Sequence, residues 1–257
     1  MSANQSPETS RAVLVTGGSR GIGRAIAHAF AERGDRVAVL WGRSRDLAEK
    51  VLAELPGAGH VLVQADMADA GAVAAMVDRA VDELGGLDVL VNNAGVFTAH
   101  PPLSTSYEDW QAAWAQTLAV NLVGAANATF RAVPHLIAAG GGAVVNVTSR
   151  GAFRGEPDTP AYGASKAGLN SFAQSMALAL APHGISVTCV APGFVQTEMA
   201  RDVLDGERGG AVRAQSPFGR VARPEEVASA VVWLASPEAR FSSGTIVDVN
   251  GASYLRS

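Results

Sequence analysis

The hydrophobic period of this chain switches repeatedly along its length, and that alternation constrains the fold more than any other feature. Short apolar, β-branched runs at 12–16, 36–41, 60–65, 87–91, 143–148, 185–190 and 245–249 alternate with longer stretches whose apolar residues recur every three or four positions. The short runs are near-continuously apolar, as strands buried on both faces must be. The longer stretches, at 21–33, 46–55, 69–84, 107–139, 161–181 and 224–236, predict helices. Several stop at glycines, such as Gly34, Gly85 and Gly140, and the last opens on Pro224. Strand and helix in strict alternation predict an α/β fold built on a parallel, doubly wound sheet. No composition break divides the chain, so residues 11–257 are expected to form a single domain behind a disordered tail at 1–10. The segment 193–222 is mixed. Within it, 201–213 is rich in charge and glycine, and is expected to be an exposed mobile loop or a lid.

Composition narrows the function. A net charge of −4 argues against a nucleic-acid partner, which calls for a basic stripe. The single cysteine, Cys189, rules out an intramolecular disulfide and fits a reducing, cytoplasmic setting. Residues 1–11 lack the apolar core of a secretory signal, and no apolar run reaches membrane-spanning length. No metal site is expected.

The first strand runs into Thr16-Gly17-Gly18-Ser19-Arg20-Gly21-Ile22-Gly23, which opens the first helix. Glycines there let the backbone approach a pyrophosphate, and the helix start offers free N–H groups. The same residues satisfy Gly-x-Ser-x-Gly, the elbow of a serine hydrolase with Ser19 as nucleophile. That motif normally follows several strands rather than the first. The second strand ends at Trp41-Gly42-Arg43-Ser44, with no acid at its tip. An arginine in place of the acid suits a ribose 2′-phosphate, so Arg43, with Ser44 and Arg20, favours NADP(H) over NAD(H). Asp66 and Met67 follow the third strand, and Asn92-Asn93-Ala94-Gly95 the fourth, where such sheets bind ligands. Asp66 starting a turn and Asn92-Asn93 forming an Asx-turn are the competing assignments.

Tyr162 and Lys166 stand four apart on a helical stretch, hence on one face. A phenol titrates near 10. Bringing it to about 7 takes roughly 4 kcal/mol, part of which an ammonium one turn away can supply. Together with Ser149 and Asn121, and with Pro192-Gly193 after the sixth strand, these motifs occur in the order found in the classical short-chain dehydrogenases/reductases. The chain resembles that family over residues 10–252, and within it the 3-oxoacyl-acyl-carrier-protein-reductase-like branch.

The resemblance implies a Rossmann-type sheet of seven strands, a homotetramer, and hydride transfer between nicotinamide and a carbonyl or secondary alcohol. It implies Tyr162 as general acid/base and Ser149 as hydrogen-bond partner of the reacting oxygen. Lys166 would lower the tyrosine and hold the ribose, and Asn121 would support a proton-relay water. Asp66 and Asn93 match adenine and ribose positions, and Val195 and Thr197 match the carboxamide site. Phe97, Arg150, Phe153, Arg154, Phe194 and Met199 follow strand ends and are expected near the substrate. The two arginines either attract an anion or point to solvent or a subunit contact. A non-catalytic nucleotide-binding protein on the same fold is the alternative from another class, although such proteins usually lose the tyrosine or lysine.

Overall fold

The computed structural model describes residues 10–256. Apart from Ser10, the tail expected to be disordered lies outside them. Seven strands, β1 (Ala12–Val15), β2 (Arg36–Trp41), β3 (Val61–Gln64), β4 (Val89–Asn92), β5 (Gly142–Val147), β6 (Ile185–Pro192) and β7 (Ile246–Val249), form one sheet in the order β3-β2-β1-β4-β5-β6-β7. Every pairing is parallel; Val13, for example, sits opposite Val37 on one side and Val89 on the other. The chain winds outward in one direction from β1 and then in the other from β4. The crevice beyond the carboxyl ends of these two strands is therefore the switch point at which such sheets bind ligands.

Helices α1 (Gly21–Ala31), α2 (Arg45–Glu54), α3 (Ala70–Leu84), α4 (Tyr107–Leu118), α5 (Ala125–Ala138), α6 (Pro160–Leu180), α7 (Arg201–Asp205), α8 (Gly209–Ala214) and α9 (Pro224–Leu234) complete the fold. The two-residue period of β1 divides the core. Leu14 joins Leu40, Leu90, Met76 and Leu136 on the face covered by α3, α5 and α6. Val13 and Val15 join Ile26, Phe30, Val231 and Leu234 under α1 and α9. Local chemistry sets the helix ends. The Asp69 carboxylate accepts the Ala72 N–H (2.9 Å) at the start of α3, and Gly85, left-handed at φ 74°, ends it.

Two expectations need correction. The helix expected over 107–139 is broken by a wider π-type turn at Ala119–Gly124 between α4 and α5. The reason is tertiary: a Cβ on Gly124 would stand 2.4 Å from the Met67 carbonyl, so the backbone itself fills that contact. The segment 201–213, expected to be an exposed mobile loop or a lid, carries helix instead of irregular chain: α7 lies within it and α8 begins in it, anchored by the buried Leu204 and Val212.

Candidate active site

The loop after β1 is locked to the loop after β4. A Cβ on Gly23 would fall 2.2 Å from the Gly17 carbonyl and 2.5 Å from Asn93 Nδ2, so only glycine fits there. The Asn93 amide donates to the carbonyls of Thr16 (2.9 Å) and Gly17 (3.1 Å). Thr16 Oγ1 in turn accepts the N–H groups of Asn93 (2.9 Å) and Ala94 (3.0 Å). Both amide hydrogens of Asn93 thus serve the glycine loop, a clamp its sequence position did not disclose. Arg20, at the cap of α1, gives no side-chain cap, so no side chain at that position takes up the first-turn N–H groups. An uncapped helix start under a glycine turn fits a phosphate group. Ser19 makes no side-chain hydrogen bond among the described residues, whereas a hydrolase nucleophile would need a histidine beside it.

Around this loop, Arg43 and Ser44 are exposed past the end of β2. Among the described residues Arg43 forms no ion pair. Arg20 faces Glu198 at 4.0 Å. Asp66 starts a turn, its Oδ1 accepting the Ala68 N–H (2.9 Å), while Met67 is buried in the core. Thr197 looks across the crevice, its Cγ2 3.2 Å from where a Cβ on Gly21 would lie.

The reaction end is assembled by β5 and α6. Ser149 leaves β5 in extended geometry, its Oγ accepting the Gly151 N–H (3.0 Å). Tyr162 lies in the first turn of α6, with the Phe97 ring edge-on at 4.9 Å. Lys166, 4 % exposed, reaches over the Tyr162 ring at 5.8 Å and donates to the Val147 carbonyl (2.9 Å), two residues before Ser149. Asn121, in the widened turn, is 1 % exposed. It bonds both Val96 N–H (2.8 Å) and carbonyl (3.0 Å) and donates to Ser165 Oγ (3.1 Å). Gly95 sits between Asn121 and Lys166; a Cβ there would be 3.3 Å from Asn121 Oδ1 and 3.6 Å from Lys166 Nζ. The four residues singled out by motif therefore meet beside the glycine loop.

The electrostatics are less simple than an ammonium beside a phenol. Burial raises the Tyr162 phenol, the Ser149 hydroxyl draws it down, and the Glu156 carboxylate adds to the rise. Burial lowers Lys166 to about 8, opposed by Cys189, and pushes the Cys189 thiol up to about 12.

After β6, Pro192 and Gly193 lead into a short bridge between Val195 and Ala222. Met199 is exposed. Arg150 and Phe153, expected at the substrate pocket, make their contacts elsewhere. Arg150 is 4 % exposed and donates to Gln215 Oε1 (2.9 Å) and Ser253 Oγ (2.8 Å), its guanidinium over the Phe194 ring at 5.3 Å. Arg154 also donates to Gln215 (3.2 Å). Phe153 lies against Arg256, and its carbonyl accepts the Tyr254 hydroxyl (3.1 Å). Arg150 Nη1 thus bonds two neutral acceptors, Gln215 at the end of α8 and Ser253 near the end of the described chain, which makes it a strut. A cleft of about 1430 Å³ runs between α1, α9 and the segment after β6, and meets this site at Gly21, Thr197 and Glu198.

His100 does not stand out from the other histidines in the sequence, where a lone histidine beside prolines carries no pattern. It is buried, and its Nε2 accepts the Ala161 N–H (3.1 Å) in the first turn of α6. Its Nδ1 therefore carries the proton and donates to the Thr98 carbonyl (2.7 Å).

Comparison with known proteins agrees with this geometry. The family described as "Enoyl-(Acyl carrier protein) reductase" matches residues 17–252. Cis-4-hydroxycyclohexanecarboxylate dehydrogenase of Sinomonas cyclohexanicum is 41 % identical over 94 % of this chain and 95 % of its own length. The 3-oxoacyl-acyl-carrier-protein reductase FabG of Staphylococcus aureus is 37 % identical over 95 % of this chain and 98 % of its own. A short-chain dehydrogenase of Burkholderia cenocepacia, solved in complex with NADP, superposes with a TM-score of 0.86 at 36 % identity, covering 95 % of this chain and 97 % of that one. A glycine loop clamped at the switch point, a serine–tyrosine–lysine–asparagine cluster beside it and likeness along nearly the whole chain lead to one assignment: this chain belongs to the classical short-chain dehydrogenases/reductases, nicotinamide-dependent oxidoreductases of small molecules.

Proposed function

We propose that this protein interconverts a carbonyl compound and its secondary alcohol with NADP(H) preferred over NAD(H), and that Tyr162 carries the proton. The observation that carries this reading is the convergence of Ser149, Tyr162, Lys166 and Asn121 next to the clamped glycine loop. When bound, the nicotinamide ring supplies or takes up hydride at its C4 and, oxidised, adds positive charge beside Tyr162. The first-turn N–H groups of α1 and the Gly17–Gly23 turn hold the pyrophosphate. Arg43, exposed and without an ion pair among the described residues, pairs a 2′-phosphate, aided by Ser44 and Arg20.

Ser149 and Tyr162 donate hydrogen bonds to the substrate oxygen as negative charge develops on it. Because burial holds the phenol up, Tyr162 carries its proton at neutral pH and can hand it to the oxygen as alkoxide character develops there, as carbonyl reduction requires. Lys166 uses one of its three N–H donors on the Val147 carbonyl, so the others would be available to hold the ribose hydroxyls. Asn121, with its side chain fully committed, fixes the widened turn and so the spacing between the loop after β4 and α6.

Residues 11–257 act as one domain, with 194–215 closing over the substrate; Thr197 facing Gly21 and Glu198 facing Arg20 support that closure. The stripe of exposed Val123, Phe130 and Ile137 at seven-residue spacing, with Leu178 on α6, supports a homotetramer. Gel filtration giving a monomer at micromolar concentration would count against it. The function is tested by following NADPH consumption across β-ketoacyl thioesters, cyclic ketones, sugars and aromatic ketones, repeated with NADH and with Tyr162→Phe. Turnover is expected to fall by about 10²–10⁴-fold in the variant. Wild-type rates in Tyr162→Phe would refute the role of the tyrosine. Tight NADPH binding with no turnover on any substrate would favour a non-catalytic protein.

A further inference from the structure

Glu156 lies in the turn between the short helix Arg150–Ala152 and α6. Its side chain is half-buried, yet among the described residues it makes no side-chain hydrogen bond and no ion pair. The two nearby guanidinium groups, Arg150 and Arg154, both donate to Gln215 instead. Gly151 locates the carboxylate. A Cβ there would have Glu156 Cγ at 3.2 Å, Ser149 Oγ at 3.4 Å and Glu156 Oε1 at 3.5 Å, so the carboxylate and the reacting hydroxyl converge on one side of that glycine. The carboxylate is also close enough to Tyr162 to hold its phenol up, and to Arg150 to favour its charge.

This is a poor place for an idle carboxylate. Its charge opposes both tyrosine deprotonation and the alkoxide character developing on the substrate oxygen. An ionised carboxylate is an acceptor only, so what offsets these costs is a donor brought by the ligand. A substrate carboxylate would be repelled. An ammonium would be opposed by Arg150 and Arg154. A neutral hydroxyl meets neither objection.

We propose that Glu156 is a specificity-determining residue whose carboxylate accepts a hydrogen bond from a second hydroxyl neighbouring the reacting carbon, so that vicinal diols, polyols and the matching hydroxyketones are preferred to single-function and anionic substrates. The inference rests on the reading of Tyr162 and Ser149 as the groups that face the reacting oxygen.

The test compares wild type with Glu156→Gln on a vicinal cyclohexanediol, a linear tetritol, cyclohexanol and a hydroxycyclohexanecarboxylate, each with NADP⁺. The ratio of kcat/KM for diol over cyclohexanol is expected to favour the diol in wild type. It should fall about ten- to hundred-fold in the variant, while the carboxylate gains relative to the diol. Two further readouts separate recognition from a structural role. In a Tyr162→Phe background, which removes turnover, the diol is expected to raise Tm in the presence of NADP⁺, and adding Glu156→Gln should remove that rise. The pH of half-maximal alcohol oxidation should move down in Glu156→Gln, because the carboxylate no longer opposes the phenolate; Lys166 remains the cation facing Tyr162. A ratio unchanged within about two-fold, or a wild type that prefers cyclohexanol or the carboxylate, overturns this inference alone. A wild type inert towards every alcohol and ketone overturns the parent reading with it.

Discussion

The nucleotide end and the reaction end of this crevice are built by opposite means. At the nucleotide end the backbone does the work: Gly17 and Gly23 touch, Asn93 and Thr16 tie two loops through main-chain groups, and the Arg20 side chain does not cap α1. At the reaction end, side chains are held in costly environments, a buried lysine and a tyrosine raised by its surroundings. Backbone geometry is tolerant of what surrounds it, so the first end serves one ligand class rigidly. Side-chain electrostatics are sensitive to every neighbour, so the second can be retuned by a single residue such as Glu156.

Lys166→Met should separate the two ends most sharply. Turnover is expected to drop about 10³-fold, by loss of the group that assists Tyr162. Stability should move the other way. Lys166 titrates near 8 in the fold against 10.5 in the unfolded chain, so between those values the unfolded chain binds the extra proton and stability rises with pH. Below pH 8 the buried ammonium costs roughly 3 kcal/mol, part of which the methionine recovers. A variant that melts lower than wild type at pH 7 would break the comparison.

Gly23→Ala attacks the other end. The methyl cannot coexist with the Gly17 carbonyl, so the loop must shift. NADPH affinity is expected to weaken about 100-fold with a stability loss of about 1–3 kcal/mol, read by fluorescence titration and thermal melting. Unchanged affinity would mean the loop is softer than its contacts imply. Arg43→Ala should be milder: the KM for NADPH rises about ten-fold and that for NADH stays put, since one exposed charge-assisted contact is lost. Equal effects on both cofactors would remove the 2′-phosphate from the picture. The least effect is expected at Arg208→Ala, which breaks an exposed pair with Asp158 at 3.4 Å. Thermal melting should move by less than about 0.5 kcal/mol.

The same contrast decides what was legible in the sequence. The strands were, because residues buried on both faces must be apolar throughout. So was the glycine loop, because its chemistry lies in consecutive residues; the parallel sheet followed from the alternation of strand and helix, and its seven strands from the family resemblance. What escaped depends on partners distant in sequence. The π-type turn at Asn121 exists because Gly124 meets Met67, more than fifty positions away. Arg150 reads as a pocket arginine until Gln215 and Ser253 arrive to occupy it. Asn93 matches a ribose position in sequence yet spends its amide on the glycine loop. His100 had no pattern at all, since its role is to meet one backbone N–H of α6.

The Arg150 strut has a practical side. Through Ser253 and Tyr254, the last few residues of the described chain brace the stretch that carries Ser149. Changes at Ser253 or Tyr254, about a hundred positions from Ser149 in sequence, would therefore reach the reaction end through hydrogen bonds rather than through the crevice.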